Sequence, residues 1–438
     1  MQNDILILGF GISGQAAARL ARELGMNPIP VDGKSYDWNG RSVFHWKEGC
    51  PLPETEYAVI SPGISIHSAM AQAARNAGAA VIGELEFACR ALPCRYVAIT
   101  GTNGKTTTTE LTTALFRANG VRAESAGNIG NALSDAVLDV RHRNNTDLLV
   151  VETSSFQLES IADRFAPSTA AFLNLASDHI NRHGSMQEYR NTKLRIFENM
   201  RSGTAVVNAK LLSGLPSGPL DRLSFSSEKG GDFECDGSSI LFRGKTVAAL
   251  DGLKLKGMHN MENIMAALAI LCAEQGGEAL FTEETRQALR AFSPDVHRME
   301  LFAEADGIRF FDDSKATNPH SVNAFLNTYG GSKNVVLILG GLDKNMSFAS
   351  IRNDADKIKC AFLIGQCREK IRAELIRDFP CTLCDSLEDA AERGFRAAEN
   401  GDILALSPAC ASMDMFKDYK ERGERFKAVI RQKIGKNA

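Results

Sequence analysis

The sequence predicts an α/β chain of three domains, and three observations predict it. An apolar strand runs into a glycine turn and then a helical stretch at "DILILGFGISG" from residue 4, and the same order returns at "CRYVAITGTNGKTT" from residue 94. Buried parallel-type strands recur in the last third as "VVLILGG", "CAFLIGQ" and "DILALSPA". A length of 438 residues holds about two to four domains, at roughly 100–200 residues each. We expect a Rossmann-like N-terminal domain over 1–91, a central P-loop ATPase-type domain with a mixed sheet over 92–293, and a Rossmann-like C-terminal domain over 294–438.

The elements follow in order. After the first turn come the helix "SGQAAARLARELG" and the strand "NPIPVD", then the strand "YAVIS" and the helix "SAMAQAARNAG". That alternation is a doubly wound unit. The second unit adds the strands "DLLVVE" and "STAAFLNL" and the charged helix "MQEYRNTKLRIFENM". Residues 204–256 break into short runs with turn signals at Asp236-Gly237 and Arg243-Gly244, which predicts a small antiparallel patch appended to the central domain. The helix "NMENIMAALAILCAEQG" closes that domain, and α/β alternation resumes near Ser293-Pro294.

Composition narrows the function classes. Fifty basic residues against 53 acidic give a formal net charge of −3, which leaves no footprint for nucleic acid or an anionic membrane. The opening "MQNDILILGF" lacks a basic n-region, and no apolar run approaches the roughly 20 residues that span a bilayer. Ten scattered cysteines suit a reducing cytosol, where they serve mostly as small core residues. The pair Cys381 and Cys384 ("PCTLC") could be a redox or half-zinc motif, but no second pair accompanies it, and packing is the expectation. A cytosolic monomer acting on small molecules is expected.

The chemistry concentrates at strand ends. Gly101, Thr102, Asn103, Gly104, Lys105, Thr106 and Thr107 follow a strand and open a helix, the context a phosphate loop requires. Helix-start N–H groups favour an anion, Lys105 adds a full charge, and the Thr106 hydroxyl is placed to ligate Mg²⁺. Gly9-Phe10-Gly11-Ile12-Ser13-Gly14 is a second nucleotide-type turn, with Asp32 eighteen residues after Gly14. Taken alone, that pattern fits NAD or any other nucleotide diphosphate. Glu152 stands just past an apolar strand, as a carboxylate ligand for Mg²⁺ would. Asp178 and His179 end the next strand. In the last third, Lys315, Thr317, Lys344 and Ser412 follow strands, and two lysines with two hydroxyls suit a substrate with two carboxylates.

These motifs resemble a known family in order and across the whole chain: "TGTNGKTT", "NIG" at 128–130, "ETSSFQLE", "NLASDHINRH", "KLRIFEN", "HN" at 259–260, "HRME", "DDSKATN" and "LSPACASMDMF". The chain is similar to the Mur ligases. "SKATN" with "SPACAS" resembles the glutamate-adding branch, and the DNPR motif of diaminopimelate-adding members is absent. The resemblance implies an ATP-dependent ligase that adds D-glutamate to UDP-N-acetylmuramoyl-L-alanine through an acyl phosphate. It places ATP on Gly101–Thr107 and the UDP end on Ile12, Ser13, Asp32, Gly33, Lys34 and Gly63. It places the muramoyl-alanine tail along Asn128, Ser154 and Gln157, and the ADP portion among Asn260, Asn263, Arg298 and Asp313. Lys315, Thr317, Lys344, Ser412 and Tyr419 would grip D-glutamate. Lys105, His179 and Lys193 would serve catalysis, with Thr106, Glu152, His179 and Lys193 holding two Mg²⁺ ions. Lys193 fits that set only as a carbamate, since an ammonium repels a cation. Lys34 and Tyr419 stand where relatives can carry arginine and phenylalanine. A folylpolyglutamate-type ligase would lack the Gly9 domain, and an NAD(P)-dependent oxidoreductase would leave the ATP loop without a purpose.

Overall fold

The computed structural model describes residues 3–33, 37–38, 41–128, 130–215, 220–293, 296–343 and 346–437. Lys34 and Lys344 therefore lie outside the described residues, as does the expected boundary at Pro294. The chain divides into two compact units. One comprises Met1–Asn174, Arg190–Leu253 and Glu262–Ala291; the other comprises Leu175–Tyr189, Lys254–Met261 and Phe292–Ala438. Among the described residues, five, nine and six strands form the three large sheets of this α/β chain.

The first unit holds two of these sheets. The five-stranded one is parallel, in the order Phe44–His45, Asn27–Asp32, Asp4–Leu8, Tyr57–Ile60, Ala80–Gly83. The chain passes first to one side of Asp4–Leu8 and then to the other, and the carboxyl end of such a strand is where open α/β sheets hold their ligands. In the nine-stranded sheet, Arg95–Thr100 lies between Leu148–Glu152 and Thr169–Phe172, with Ala123–Gly127 at one edge.

The expected antiparallel patch needs one correction. Thr204–Asn208 and Asp221–Ser226 continue the central sheet in parallel, and only Phe233–Cys235, Ser239–Phe242 and Lys245–Ala249 run antiparallel to one another. Thr204–Asn208 is buried on both faces, which is the parallel pattern rather than the half-solvated one. Arg243 and Gly244 do form a turn, both with positive φ (47° and 79°).

Two buried carboxylates fasten the first sheet to the second. The short helix Glu84–Cys89 follows the last strand of the first sheet. Glu86 accepts the backbone N–H groups of Ala162, Arg164 and Phe165 at 2.9–3.0 Å. Glu84 accepts the Ser134 N–H at 2.6 Å, and burial pushes its carboxyl up to about 7.

The six-stranded sheet of the second unit runs Glu300–Ala305, Ile308–Asp312, Ile403–Leu406, Val335–Gly340, Ile358–Ile364, Cys381–Leu383. Only the Glu300–Ala305 edge is antiparallel. The strand Val335–Gly340 is buried throughout, as its unbroken apolar run requires. Burial pushes the Cys381 and Cys384 thiols up to about 11, which keeps both neutral and in keeping with a packing role.

Candidate active site

The phosphate-type loop joins the strand Arg95–Thr100 to the helix Lys105–Ala118. Gly104 has φ +80°, and a Cβ there would lie 2.1 Å from the Asn263 Oδ1, so the position admits only glycine. Asn263 is thereby placed against the loop. Asn174, one residue beyond Leu173 on the neighbouring strand's exit, braces the loop from the other side. Its Oδ1 accepts the Asn103 N–H at 2.9 Å, its Nδ2 donates to the Asn103 carbonyl at 3.0 Å, and its own carbonyl accepts the Thr102 N–H. Sequence reasoning missed Asn174, although its place just past an apolar strand was a usable signal.

Two lysines converge on one carbonyl. Lys105 Nζ donates to the Gly101 oxygen at 2.9 Å and to the Thr102 oxygen at 3.0 Å. Lys193 Nζ donates to the same Gly101 oxygen at 2.8 Å, and the residue is 1% exposed. Lys193 stands at the end of the α-helix Met186–Leu194, where the expected single helix tightens into the 3₁₀ turn Arg195–Phe197. Ile196 and Phe197 are buried, which fixes the inward face expected from their spacing.

Glu152 ends the strand beside Arg95–Thr100 and is 2% exposed. Its Oε1 accepts from Asn128 Nδ2 at 2.7 Å, while its Oε2 finds no hydrogen-bond partner among the described residues. The Thr107 hydroxyl is likewise buried without one. A buried carboxylate oxygen without a partner is costly unless something satisfies it, and a hard cation does so. Thr106, Glu152 and the loop thus fit Mg²⁺ and phosphate by their chemistry. Ser154 and Gln157 form a reciprocal cap on the short helix Ser155–Leu158, so their side chains engage each other.

At the first sheet, Gly14 packs onto the Gly9 carbonyl so closely that a Cβ would lie 2.0 Å from it. Asp32 Oδ2 accepts the Phe10 N–H at 2.7 Å, so this acid shapes the turn as well as lining it. Ser61, absent from the sequence reading, donates to the Gly9 carbonyl at 2.7 Å. Ile12 and Gly33 are exposed at the turn, as is Gly63 beyond Ser61.

The second unit carries the remaining candidates. His179 adopts φ +54°, and its Nε2 lies 3.6 Å from Asp178 Oδ2, toward which Asn318 Nδ2 also reaches at 3.5 Å. Asn260 is buried and donates to the Lys256 carbonyl. The Asp313 carboxyl accepts from the Ser407 hydroxyl at 2.7 Å and the Met299 N–H at 3.1 Å; burial pushes it up to about 7 despite the nearby Arg298. The Arg298 Nε is buried with no hydrogen-bond partner among the described residues. Lys315 lies over the Tyr419 ring at 5.7 Å, Thr317 is half-buried, and Ser412 is buried in the turn that ends at Phe416. Arg422, also missed in the sequence, is buried and holds Ser314 through its hydroxyl (2.9 Å) and carbonyl (2.7 Å). The residues thus fall into three groups: one at the loop of Gly101, Lys105, Glu152, Lys193 and Asn263, one at the Gly9 turn of the first sheet, and one within the second unit.

Known proteins resemble the chain over nearly its whole length. The Mur ligase middle domain matches residues 99–271, and the Mur ligase glutamate ligase domain matches 297–410. A UDP-N-acetylmuramoylalanine--D-glutamate ligase of Caldanaerobacter subterraneus is 36% identical, with 98% of each chain covered. Its counterpart in Geotalea daltonii is 37% identical, again over 98% of both. Among solved structures, the UDP-N-acetylmuramate-alanine ligase MurC of Thermotoga maritima shares the fold with a TM-score of 0.62 at 18% identity, covering 98% of this chain and 99% of that one. The MurF ligase of the same organism does so at 0.60 and 16%, covering 88% and 96%. Identity of 36% over nearly the full length, with two Mur ligase family domains matching residues 99–271 and 297–410, decides the relationship: the chain belongs to the Mur ligase family.

Proposed function

We propose that this Mur ligase couples ATP hydrolysis to joining D-glutamate onto UDP-N-acetylmuramoyl-L-alanine, a step in building the peptidoglycan peptide. The observation that carries the reading is at the ATP loop: half-buried Lys105 and buried Lys193 share the Gly101 carbonyl, and on the adjacent strand the buried Glu152 has an Oε2 with no hydrogen-bond partner among the described residues. The full-length similarity to D-glutamate ligases supports the choice of substrates.

A carboxylate resists amines because its leaving group would be oxide. In the first step an oxygen of the substrate carboxylate bonds to the γ-phosphorus and the bond to ADP breaks, leaving an acyl phosphate. The glutamate nitrogen then bonds to the acyl carbon, the bond to phosphate breaks, and the nitrogen loses its proton to solvent. Both steps gather negative charge, and fixed positive charge must meet it. Lys105, released from its carbonyls, neutralises the transferring phosphoryl group. Mg²⁺, when bound, supplies the rest of that charge. Thr106 and Glu152 would hold one ion; His179 and Lys193, the latter as a carbamate, are each assigned as further metal ligands. Two ammonium groups on one carbonyl repel each other, and converting the Lys193 amine to a carbamate with CO₂ relieves that repulsion.

Ile12, Ser13, Asp32, Gly33 and Gly63 are assigned to the UDP end, with Asn128, Ser154 and Gln157 toward the tail. Asn260, Asn263, Arg298 and Asp313 are assigned to the nucleotide, and Lys315, Thr317, Ser412 and Tyr419 to glutamate. On this reading the domains keep the limits 1–91, 92–293 and 294–438. No described helix is long and apolar enough to cross a membrane, which suits a small-molecule enzyme.

The test is Asp32→Ala. It should raise KM for the UDP substrate by about tenfold or more, the worth of a hydrogen bond to a charged group, and leave KM for ATP unchanged. Calorimetry should detect no NADH binding to wild type. Binding of NADH by wild type that is lost in the variant would instead make the first turn a dinucleotide site.

A further inference from the structure

Outside the residues assigned so far, the second unit contains a buried charge cluster. Lys427, on the helix Tyr419–Asn437, is 3% exposed. Its Nζ lies 2.9 Å from Glu424 Oε1, 3.1 Å from Glu300 Oε2 and 3.7 Å from Asp312 Oδ2. Asp312 Oδ2 in turn shares a 2.6 Å hydrogen bond with His297 Nδ1. Ligand atoms of His297, Glu300 and Asp312 lie within 4.8 Å of one another, the spacing of a metal site. The Lys427 ammonium, however, already stands among these carboxylates, so the cluster carries its own cation.

What this cluster holds is more informative than its composition. His297 adopts φ +66°, its carbonyl accepts the Lys315 N–H at 3.0 Å, and its ring meets the Tyr419 ring edge-on at 6.2 Å. Glu300 also accepts the His297 N–H at 2.9 Å. Asp312 accepts the Ser314 N–H at 3.0 Å, and the Ser314 hydroxyl donates to the Tyr419 carbonyl at 2.8 Å. The routes from Lys427 through Glu300 and Asp312 therefore reach the backbone of Lys315 and Tyr419, and Glu424 Oε1 lies 3.5 Å from His297 Nε2 on the same path. We propose that Lys427 is a positioning residue for the amino-acid substrate: as the internal counter-ion of Glu300, Asp312 and Glu424, it fixes His297 and through it the Lys315–Tyr419 pair. The inference rests on the assignment of that pair to glutamate.

Burial explains why one cation matters so much here. Glu300 and Asp312 face each other across the strand pair Glu300–Ala305 and Ile308–Asp312, where they are partners in register. Two such carboxylates without a cation repel and shift apart. The His297 turn, already in a sparsely populated conformation, would be the first segment to relax.

The experiment measures all three KM values and the melting temperature for Lys427→Met, Lys427→Arg and Glu424→Gln. Lys427→Met should raise KM for D-glutamate on the order of tenfold, below the roughly 10²-fold that a 1 Å misplacement can cost. KM for ATP and for the UDP substrate should stay within a factor of about two of wild type. Lys427→Arg should recover most of the loss by restoring the charge. Glu424 is 59% exposed at its side chain, so Glu424→Gln folds in any case and should shift KM for D-glutamate a few-fold in the same direction. A lowered melting temperature with all three KM values unchanged in Lys427→Met and Glu424→Gln would mean a purely structural cluster and would overturn the inference. If Lys427→Met does not fold, unchanged KM values in Glu424→Gln decide against it. If wild type shows no D-glutamate-dependent turnover, the functional reading falls and takes this inference with it.

Discussion

Lys105→Ala is expected to lose at least about 10²-fold in kcat, the usual cost of removing a group that stabilises developing charge. The lysine is only half-buried, and the Gly101 carbonyl it rests on keeps Lys193 as a second donor, so its removal should leave the fold intact. The loss should therefore fall on turnover, with an unchanged melting temperature and a KM for ATP that moves far less than kcat. Phosphate release under saturating ATP is the readout. A variant within a few-fold of wild type would remove Lys105 from the phosphoryl-transfer step.

Lys193→Ala should be comparably damaged, by about 10²-fold or more, and for a different reason. Lys193 is 1% exposed, and its amine shares the Gly101 carbonyl with the Lys105 ammonium, whose like charge it meets there. The ammonium loses one proton, and the resulting amine nitrogen bonds to CO₂ and loses a second; the cation is thereby replaced by a carbamate with one negative charge shared over two oxygens. Wild-type activity should then fall when CO₂ and bicarbonate are stripped and return when they are restored. In Lys193→Ala, a small carboxylate such as formate should restore part of the activity by entering the space the side chain leaves. Indifference to CO₂, together with a high-resolution map showing an unmodified amine on the Gly101 carbonyl, would end the carbamate assignment while leaving the ligase assignment standing.

Features carried by a few adjacent residues were legible in the sequence. Gly101–Thr107 and Gly9–Gly14 announce themselves because the strand, the turn and the helix start are contiguous, and the structure places both at sheet ends. Asn174, Ser61 and Arg422 escaped notice because each acts on a loop distant in sequence, and only the strand order shows which loop that is. Glu84 and Glu86 carry no signal in the sequence; their burial follows from the packing of that helix on residues 134 and 162–165. The parallel course of Thr204–Asn208 and Asp221–Ser226 was misread for a related reason, since an apolar run does not say which neighbour it pairs with. Asp32 was legible as the acid at the strand end after the Gly9 turn, but its bond to the Phe10 N–H was not. The Lys427 cluster was invisible, because a helical lysine normally reads as a solvated one.

The most direct test of the central claim is an amino-acid panel. Purified protein would receive UDP-N-acetylmuramoyl-L-alanine labelled with ¹⁸O in its carboxylate, ATP, Mg²⁺ and one amino acid at a time. Phosphate release should depend on both the UDP substrate and D-glutamate, with D-alanine, L-lysine and L-glutamate near background. The released phosphate should carry one ¹⁸O, because the substrate oxygen that attacked phosphorus leaves with it. Equal turnover with D-alanine, or phosphate free of label, would contradict the account.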